Sequence, residues 1–254
     1  MADMLQQVAL VTGVGSRAGI GFACAVALAK SGARVAITST SKRVFERLAE
    51  LGAGHVAYTA DLVDSESVAK LIKSIERDLG PPCVVINNAG MVQHGKTLRA
   101  TRIEKLSDED WQHHLNITVT TAFKVTRAVL PPMQKARFGR IINIASVTGP
   151  LVTVERSAGY AAAKAAMTGL TRSTALENAK YDITCNAVLP GWIETGSISA
   201  QQVRAGKATP TGRQGRPDEI AACALFLAST GAGYVNGAML VVDGANSLME
   251  MKQA

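Results

Sequence analysis

Cysteines, aromatic residues and long apolar runs are all scarce in this sequence. Its 254 residues include four cysteines, none in a C-x-x-C pair, and the four histidines show no metal-ligand spacing. This argues against a disulfide framework or a metal site and is typical of a reducing compartment. No apolar run reaches the roughly 18 residues that a membrane-spanning helix requires. The chain begins with a strand-like run that leaves no room for a signal peptide of roughly 15–30 residues. We therefore expect a cytoplasmic protein with no metal and no membrane segment.

No dense run of one charge sign is present either. The 27 Lys and Arg against 20 Asp and Glu give a net charge of +7, which suits anionic partners such as phosphate-bearing cofactors. Aromatic residues make up only 4% of the chain, and we find no helix-turn-helix or basic stripe, so nucleic-acid binding is not expected. The 47% hydrophobic content excludes a disordered chain and supplies a core for one large domain.

Short apolar runs alternate with longer helical patterns along most of the chain. Because the runs are continuous, they predict parallel strands buried on both faces. The predicted strands are 7–12, 34–38, 55–59, 83–87, 139–145, 183–188 and 238–243, and the predicted helices are 20–31, 42–51, 65–78, 107–135, 158–179 and 217–228. This order predicts an α/β fold, a single Rossmann-type domain over residues 1–254 with a doubly wound parallel sheet of about seven strands. Segment 195–216, rich in Gly, Ser, Thr and basic residues, is expected to be mobile.

A glycine-rich loop follows the first predicted strand. In TGVGSRAGIG the glycines stand at 13, 15, 19 and 21, directly before a predicted helix. Such glycines permit a tight turn and let backbone N–H groups approach a pyrophosphate at the helix N-terminus. The loop therefore predicts dinucleotide binding by Gly13, Gly15, Gly19, Ile20 and Gly21, with either Gly13 or Gly15 facing the pyrophosphate. A glycine-rich connection that binds nothing is the alternative.

The second predicted strand ends without an acidic residue. NAD sites of this type usually place a carboxylate there to accept from the ribose 2′-hydroxyl. Here Ser39 and Thr40 stand in a hydroxyl cluster, followed by Lys42 and Arg43, and Arg17 lies in the glycine loop. Hydroxyls and cations suit a 2′-phosphate, so we predict NADP(H) over NAD(H), with Arg17 as the preferred cation. Solvated surface residues are the alternative, above all for Lys42 or Arg43.

A tyrosine and a lysine share one face of a predicted helix. Tyr160 and Lys164 stand four residues apart in YAAAK. An ammonium close to a phenol lowers the phenol pKa from about 10 toward neutrality, which permits proton transfer near physiological pH. Ser146 ends the fifth predicted strand, at the sheet edge where ligands bind in such folds, and is a candidate to hydrogen-bond a carbonyl. A simple turn residue is the alternative for Ser146.

These motifs together resemble those of the short-chain dehydrogenase/reductase family over essentially the full chain. They occur in family order: the glycine loop, Asp61 in ADL, NNAG at 87–90, Asn116, Ser146, Tyr160 with Lys164, and PGWIET at 190–195. The resemblance implies a nicotinamide-dependent carbonyl reductase or alcohol dehydrogenase. The closest general likeness is to 3-oxoacyl-carrier-protein reductases and related ketoreductases.

The resemblance also implies a role for each matching residue. Tyr160 would be the general acid/base, Lys164 would lower its pKa and hold the nicotinamide ribose, and Ser146 would orient the carbonyl. Asn116 would bend its helix and support a water-linked proton relay, with a satisfied helix amide as the alternative. Besides Tyr160 and Lys164, the implied cofactor contacts are Asp61 and Leu62 at the adenine, Asn88, Ala89 and Gly90 at the adenosine ribose, and Pro190, Gly191, Ile193 and Thr195 at the nicotinamide. Asn87 is expected to be structural.

The substrate is predicted only as a class. Segments 91–106 and 147–159 should border the pocket, and both are more polar than a fatty acyl tunnel suggests. Two positions where carrier-protein reductases often dock the carrier through arginine are Pro131 and Leu176 here. We therefore expect a small or medium ketone, 3-oxo ester or secondary alcohol. A 3-oxoacyl-carrier-protein substrate is the main alternative, and a non-catalytic dinucleotide-binding scaffold is a distant one.

An oligomer is also expected. Small residues, including Ala161, Ala165 and Gly169, form one face of the predicted helix 158–179 and would permit close helix packing. Members of the family commonly use this helix and the preceding one to form tetramers, so we predict a homotetramer. Packing within the chain is the alternative.

Overall fold

Seven parallel strands form the centre of the molecule. The computed structural model describes Met4 and residues 7–90, 100–196 and 200–249. Within these ranges the strands pair in the order β3-β2-β1-β4-β5-β6-β7. They are β1 (Val8–Thr12), β2 (Arg34–Ser39), β3 (Val56–Thr59), β4 (Val84–Asn87), β5 (Gly139–Ile144), β6 (Ile183–Pro190) and β7 (Met239–Val242). The predicted doubly wound sheet of seven strands is confirmed.

Helices cover both faces of this sheet. They are α1 (Ile20–Lys30), α2 (Arg43–Leu51), α3 (Ser65–Asp78), α4 (Asp108–Leu115), α5 (Thr121–Ala136), α6 (Ala158–Asn178), α7 (Ala200–Lys207) and α8 (Pro217–Ala228). Helices α1, α2 and α8 bury apolar side chains on one face, while α3, α5 and α6 do so on the other. No helix within the described residues is both long and apolar enough to cross a membrane.

The central strands form because their sequences are apolar and rich in β-branched residues. Every residue of β1, β4, β5 and β6 is buried. A strand with helices on both faces has no solvent-facing side, so its apolar residues run continuously instead of alternating. The continuous pattern is thus the physical reason why these strands were predictable.

Ser65 and Ser107 precede acidic residues at the starts of two predicted helices and are the caps that the sequence predicts, but the start of α3 differs from this by one residue. Asp64, not Ser65, is the N-cap, and its carboxylate accepts hydrogen bonds from the backbone N–H groups of Glu66 (3.2 Å) and Ser67 (2.9 Å). Both residue types cap helices well, so composition alone did not choose between neighbours. Ser107 caps α4 as expected, accepting from the Asp110 N–H at 3.1 Å.

The segment 195–216, which the sequence predicts to be mobile, contains the helix α7. Near its end, Gly215 is joined to the chain just before the segment by backbone hydrogen bonds from Glu194 N–H to the Gly215 carbonyl (2.8 Å) and from Gly215 N–H to the Trp192 carbonyl (2.9 Å). Residues 197–199 of this segment, like 91–99 of the other predicted pocket segment, lie outside the described residues.

One long helix is interrupted by a π-turn. The pattern over 107–135 predicts a continuous helix, but residues Asn116–Thr120 form a π-helical turn between α4 and α5. Such turns insert an extra residue and rotate the helix face that follows. The family resemblance implies a bend at Asn116, and the π-turn begins at this residue, but the apolar pattern alone did not indicate that kind of turn.

The topology determines where a ligand can bind. Strands β1 and β4 are neighbours in the sheet, and the strand order reverses direction between them. In open α/β sheets the crevice at the carboxyl ends of such strands is the usual ligand site. The loops that follow β1, β4, β5 and β6 all lie at this edge and carry the predicted site residues.

Candidate active site

The glycine loop forms a tight connection from β1 into α1. Gly13 has a φ of +74°, and a Cβ there would lie 2.9 Å from backbone atoms of Ala89. A Cβ on Gly21 would lie 2.5 Å from the Asn88 amide nitrogen. Both positions therefore require glycine, because the turn after β4 packs directly on the loop. Gly13 thus forms a turn that packs directly against Asn88 and Ala89.

The N-terminus of α1 is open to an anion. Gly19 is its N-cap, no side chain caps the helix, and no acidic residue stands in the first turn. The N–H groups at such an end, including that of Ile20, are available to a phosphate. Gly196, after β6, also reaches this loop, since a Cβ on it would lie 3.6 Å from Ser16 Oγ. The loops after β1 and β6 therefore meet over the helix end.

The turn after β4 is fixed by Thr12, a residue that the sequence analysis missed. Thr12 Oγ1 accepts hydrogen bonds from the backbone N–H groups of Asn88 and Ala89, both at 3.0 Å. The Asn88 side chain in turn donates to the Thr12 carbonyl at 3.0 Å. The one feature of the sequence that could have indicated this role is the position of Thr12, at the end of a predicted strand and directly before Gly13. The turn Asn88–Ala89–Gly90 is held against the glycine loop, as a ribose-binding turn would need to be.

The end of β2 brings a hydroxyl and a guanidinium to the glycine loop. A Cβ on Gly15 would lie 2.9 Å from Ser39 Oγ and 3.7 Å from a terminal nitrogen of Arg43. Gly15 thus faces the hydroxyl cluster, where Ser39 is half-buried and Thr40 exposed. The preferred cation of the sequence analysis, Arg17, is exposed and its Nε lies 2.7 Å from a carboxylate oxygen of Glu50. The structure therefore places Arg43 closer to this cluster than the sequence suggested.

The loop after β3 is bound to its surroundings. The Asp61 carboxylate accepts from the Val63 N–H at 2.9 Å, and Leu62 is buried in the core. Lys124 of α5 donates to the Val63 carbonyl. The loop holds its shape at the edge of the crevice, and Leu62 contributes chiefly to packing.

The segment after β6 is equally constrained. Gly191 leaves no room for a side chain, because a Cβ there would lie 2.6 Å from Asp243 Cβ. Pro190 is buried as the last residue of β6, Ile193 is buried beside Gly215, and Thr195 is half-buried. This places the PGWIET segment beside the carboxyl end of β6, as the resemblance implies.

Ser146 and Tyr160 form the centre of the candidate site. Ser146 is buried at 8% exposure just after β5, and its Oγ accepts from the Thr148 N–H at 3.1 Å, which leaves the hydroxyl proton free to donate. Burial raises the pKa of Tyr160 above its usual value of 10, while a hydrogen bond with Ser146 lowers it in part. The phenol is therefore protonated at neutral pH and suited to donate a proton.

Lys164 is buried beneath this pair. Its Nζ donates to the Ile144 carbonyl at 2.7 Å and lies 5.9 Å from the centre of the Tyr160 ring. Burial lowers the pKa of Lys164 from 10.5 to about 8. The pKa of Tyr160 is raised and not lowered as the sequence predicted, because burial of the phenol is the largest effect on it. The spacing of four residues does place both groups on one helix face.

The hydrogen bonds described for Asn116 do not connect it to Ser146, Tyr160 or Lys164. Its Oδ1 accepts from Gln112 Nε2 at 3.0 Å and from Thr120 Oγ1 at 3.4 Å, both on its own helix. The residue from the π-turn that reaches the site is Thr118, whose Oγ1 donates to the Gly90 carbonyl at 3.2 Å. The sequence analysis identified Asn116 and a bend there but not Thr118, because the π-helical form of the bend was not predicted.

Comparisons with known proteins agree with this arrangement. A family model described as Enoyl-(Acyl carrier protein) reductase matches residues 13–245. The 3-oxoacyl-(acyl-carrier-protein) reductase FabG of Pseudomonas aeruginosa is 40% identical over 246 residues, covering 94% of this chain and 96% of that protein. Oxidoreductase UcpA of Escherichia coli is 35% identical over 266 residues, covering 98% of each.

A solved structure shares the whole fold. It is a protein of Agrobacterium tumefaciens assigned as a gluconate dehydrogenase, with a TM-score of 0.88 and 30% identity, and the match covers 97% of this chain and 98% of the other. The similarity extends over nearly the full length of both chains, so it includes every strand that carries the site.

Proposed function

Because the chain belongs to the short-chain dehydrogenase/reductase family, an oxidoreductase family, we propose that it reduces a ketone or 3-oxo ester to a secondary alcohol with NADP(H). The observation that carries this proposal is the pair of buried Ser146 and half-buried Tyr160 near Lys164, at the sheet edge that the glycine loop also borders. The residues fit a dinucleotide, since α1 has an uncapped N-terminus and Gly13 and Gly21 have no space for a side chain.

In this proposal two hydroxyl groups hold the substrate oxygen. The Ser146 hydroxyl, fixed by the Thr148 N–H, and the Tyr160 phenol donate hydrogen bonds to the carbonyl, where negative charge develops as it is reduced. Tyr160 then gives its proton to that oxygen. A phenol whose pKa is raised by burial stays protonated until the oxygen becomes strongly basic, which suits the reductive direction.

Lys164 supports both roles of Tyr160, the hydrogen bond to the substrate oxygen and the transfer of a proton to it. Its ammonium is held by the Ile144 carbonyl and places a positive charge beneath the phenol, which stabilises the tyrosinate left after proton transfer. The nicotinamide, when bound, supplies the hydride. Asn116 remains a proposed relay residue on the strength of the family resemblance, although its described hydrogen bonds do not support that role.

A preference for the 2′-phosphate is the finer part of the proposal. Ser39 and Arg43 lie together beside Gly15, and β2 ends without a carboxylate that would repel a phosphate. Arg17 would have to leave Glu50 to contribute. We expect Arg43→Ala to raise the NADPH Kd about tenfold and to leave the NADH Kd unchanged, measured by fluorescence titration. Equal affinity of the wild-type protein for NADPH and NADH would refute the preference.

The proton donor is tested by Tyr160→Phe. The variant keeps the ring but lacks the hydroxyl, so turnover of NADPH with ethyl acetoacetate should fall roughly 100-fold or more. Tyr234→Phe is the matched control because Tyr234 is fully exposed. The NADPH Kd of both variants should stay close to that of the wild type. Near-normal turnover by Tyr160→Phe would overturn the assignment.

A carrier-bound substrate is the second candidate function. It is favoured by the identity of 40% to a 3-oxoacyl-(acyl-carrier-protein) reductase over nearly the whole chain. Against it, Leu176 is 83% exposed where an arginine would be expected to dock the carrier. Comparing kcat/KM for acetoacetyl-carrier protein, acetoacetyl-CoA and ethyl acetoacetate separates the candidates. A strong preference for the carrier-bound form would replace the small-molecule proposal.

We also propose that four chains assemble. Exposed apolar side chains lie on two separate surfaces, one with Trp111, Phe123 and Leu176 on α4, α5 and α6, the other with Phe226 on α8 and Val241 on β7. Gly169 on α6 is open, with nothing within 4 Å of a Cβ built on it. Two distinct surfaces of this kind suit a dimer of dimers.

A further inference from the structure

The π-turn between α4 and α5 presents a threonine to the turn after β4. Thr118 is fully buried, and its hydroxyl donates to the Gly90 carbonyl at 3.2 Å. The contact is close on both sides, since a Cβ on Gly90 would lie 3.3 Å from Thr118 Cα and 3.2 Å from the Ile117 carbonyl oxygen. The two backbones therefore meet with no space for a water or a side chain between them.

The asparagine two residues earlier has a different environment. Asn116 hydrogen-bonds along its own helix to Gln112 and Thr120, and Gln112 is exposed. The π-turn accounts for this difference, because its extra residue changes which side chains face the sheet. The Thr121 hydroxyl donates to the Ile117 and Thr118 carbonyls, which satisfies backbone groups that the π-turn leaves without regular helical partners. The turn is therefore a defined structure with its own hydrogen bonds.

We propose that Thr118 is the helix-borne positioning residue of this active site, in the place that sequence resemblance gives to Asn116. The Thr118 hydroxyl holds the Gly90 carbonyl and so fixes the far end of the Asn88–Gly90 turn, whose near end Thr12 holds. This inference rests on the proposed function, in which that turn binds the cofactor ribose. Thr118 acts through Gly90 and touches neither reacting atom nor substrate.

The Thr118 hydroxyl matters because Gly90, whose carbonyl it holds, has an unusual backbone conformation. Gly90 has a φ of +147°, a conformation that residues other than glycine rarely adopt, and its carbonyl points at a fully buried side chain. A methyl group in place of the hydroxyl would remove this donor from the carbonyl of half-buried Gly90, and losing a hydrogen bond in a partly buried place is costly. The turn would then shift toward another partner and lose its alignment with Gly13 and Ala89.

The decisive variants are Thr118→Val, which keeps the shape and removes the hydroxyl, and Thr118→Ser, which keeps the hydroxyl. Thr120→Val is the matched control, since it makes the same chemical change in the same π-turn but removes only the bond to Asn116. Without substrate, Thr118→Val should raise the NADPH Kd at least about fivefold in fluorescence titration. Thr118→Ser should stay within about twofold of wild type, and so should Thr120→Val.

A measurement without cofactor keeps the inference separate from the proposed function. Hydrogen–deuterium exchange of the peptide containing residues 88–90 should be faster in Thr118→Val than in wild type, and unchanged in Thr118→Ser and Thr120→Val. If the wild-type protein neither binds NADPH nor reduces any ketone, the proposed function fails while the exchange result still stands. Wild-type exchange and NADPH affinity in Thr118→Val, with a loss of turnover confined to Asn116→Ala, would overturn the inference.

Discussion

At the scale of single residues, the burial of Lys164 lowers the stability of the fold but serves its proposed role in catalysis. It is only 4% exposed, and burial lowers its pKa to about 8 from 10.5. Holding the ammonium there at neutral pH costs about 3 kcal/mol of folding free energy. The hydrogen bond to the Ile144 carbonyl returns about 1 kcal/mol of that cost. A charge kept in such a place at a net cost points to a role other than stability.

Lys164→Met should therefore stabilise the fold while it abolishes turnover. We expect an increase of about 1–2 kcal/mol in the free energy of unfolding at pH 7, measured by urea denaturation. Lys73→Met, on the exposed side of α3, is the control and should change it by less than about 0.5 kcal/mol. A Lys164→Met variant less stable than wild type would show that the ammonium contributes to folding.

The pH dependence gives a second check on Lys164. Between pH 8 and 10.5 the unfolded chain still binds the lysine proton and the folded chain does not, so the contribution of Lys164 to stability rises with pH in this window. The buried Cys24 and Cys185, whose pKa values are raised, contribute in the opposite direction, so the comparison with Lys164→Met isolates the lysine. The advantage of Lys164→Met should thus be largest at pH 7 and shrink toward pH 10. A constant difference across that range would contradict the depressed pKa.

At the scale of elements, the sequence predicted nearly every strand and helix within one or two residues. Continuous apolar runs sufficed for β1, β4 and β5, because burial on both faces leaves a plain signal. It did not predict the π-turn as such, because the cause of that turn is local backbone geometry. The contact of Thr118 with Gly90 depends on the π-turn and was not predicted either. The spacing of the proposed catalytic pair, Tyr160 and Lys164, was predictable because both residues lie on one helix. The raised pKa of Tyr160 was not predictable, because the burial that raises it depends on the whole fold.

A buried polar ladder connects four of these elements. Asn87 on β4 donates to Thr126 on α5 (3.1 Å) and to Asn143 on β5 (2.9 Å), and Asn143 donates to Thr171 on α6 (2.8 Å). All four side chains are buried beneath the site. This is consistent with the structural role expected for Asn87. Buried side chains that hydrogen-bond across strands and helices fix the register of packed elements, although the Asn87 Oδ1 atom itself has no partner among the described residues.

Removing two linked members of the ladder together should cost less than the two separate losses added together. Asn143→Leu removes the acceptor of one Asn87 hydrogen bond and the donor to Thr171, and should lower the free energy of unfolding by about 2–4 kcal/mol. In Asn87→Leu/Asn143→Leu the loss should be smaller than the sum of the two single losses by at least about 0.5 kcal/mol. Urea denaturation of the three variants measures this, and strictly additive losses would argue against coupling.

The residue directly before the edge strand β3 makes a pH-sensitive hydrogen bond to β2. His55 Nδ1 accepts from the Val35 N–H at 3.1 Å, and burial lowers the pKa of His55 below its usual 6.5. As the pH falls below 6.5 the unfolded chain binds this proton first, so stability decreases. We expect His55→Ala to lose about 1 kcal/mol at pH 7.5 and to show a shallower decline toward pH 5.5 than wild type. The decline should not vanish, because burial also lowers the pKa of His114. Parallel pH profiles would refute the assignment to His55.

At the scale of the whole molecule, the single sheet divides its surface by function. The carboxyl ends of the strands carry the site, while the helices on the two faces leave apolar residues exposed away from it. Leu176 on α6 and Phe226 on α8 stand on opposite faces of the sheet, exposed at 83% and 50%. An assembly through both surfaces would leave the crevice of every chain open. This separation lets oligomeric state be tested without touching catalytic residues.

Light scattering of the wild-type protein should therefore give about four times the 26.6 kDa mass of one chain. A charge placed on either surface should remove that contact alone, so Leu176→Glu and Phe226→Glu should each give dimers and the double variant monomers, because an unpaired carboxylate is costly inside an apolar interface. Phe45→Glu on α2 is the control, since Phe45 is similarly exposed at 47% but lies outside both surfaces. A monomeric wild-type protein would refute the tetramer. Dimers that persist in the double variant would place the contact elsewhere on the molecule.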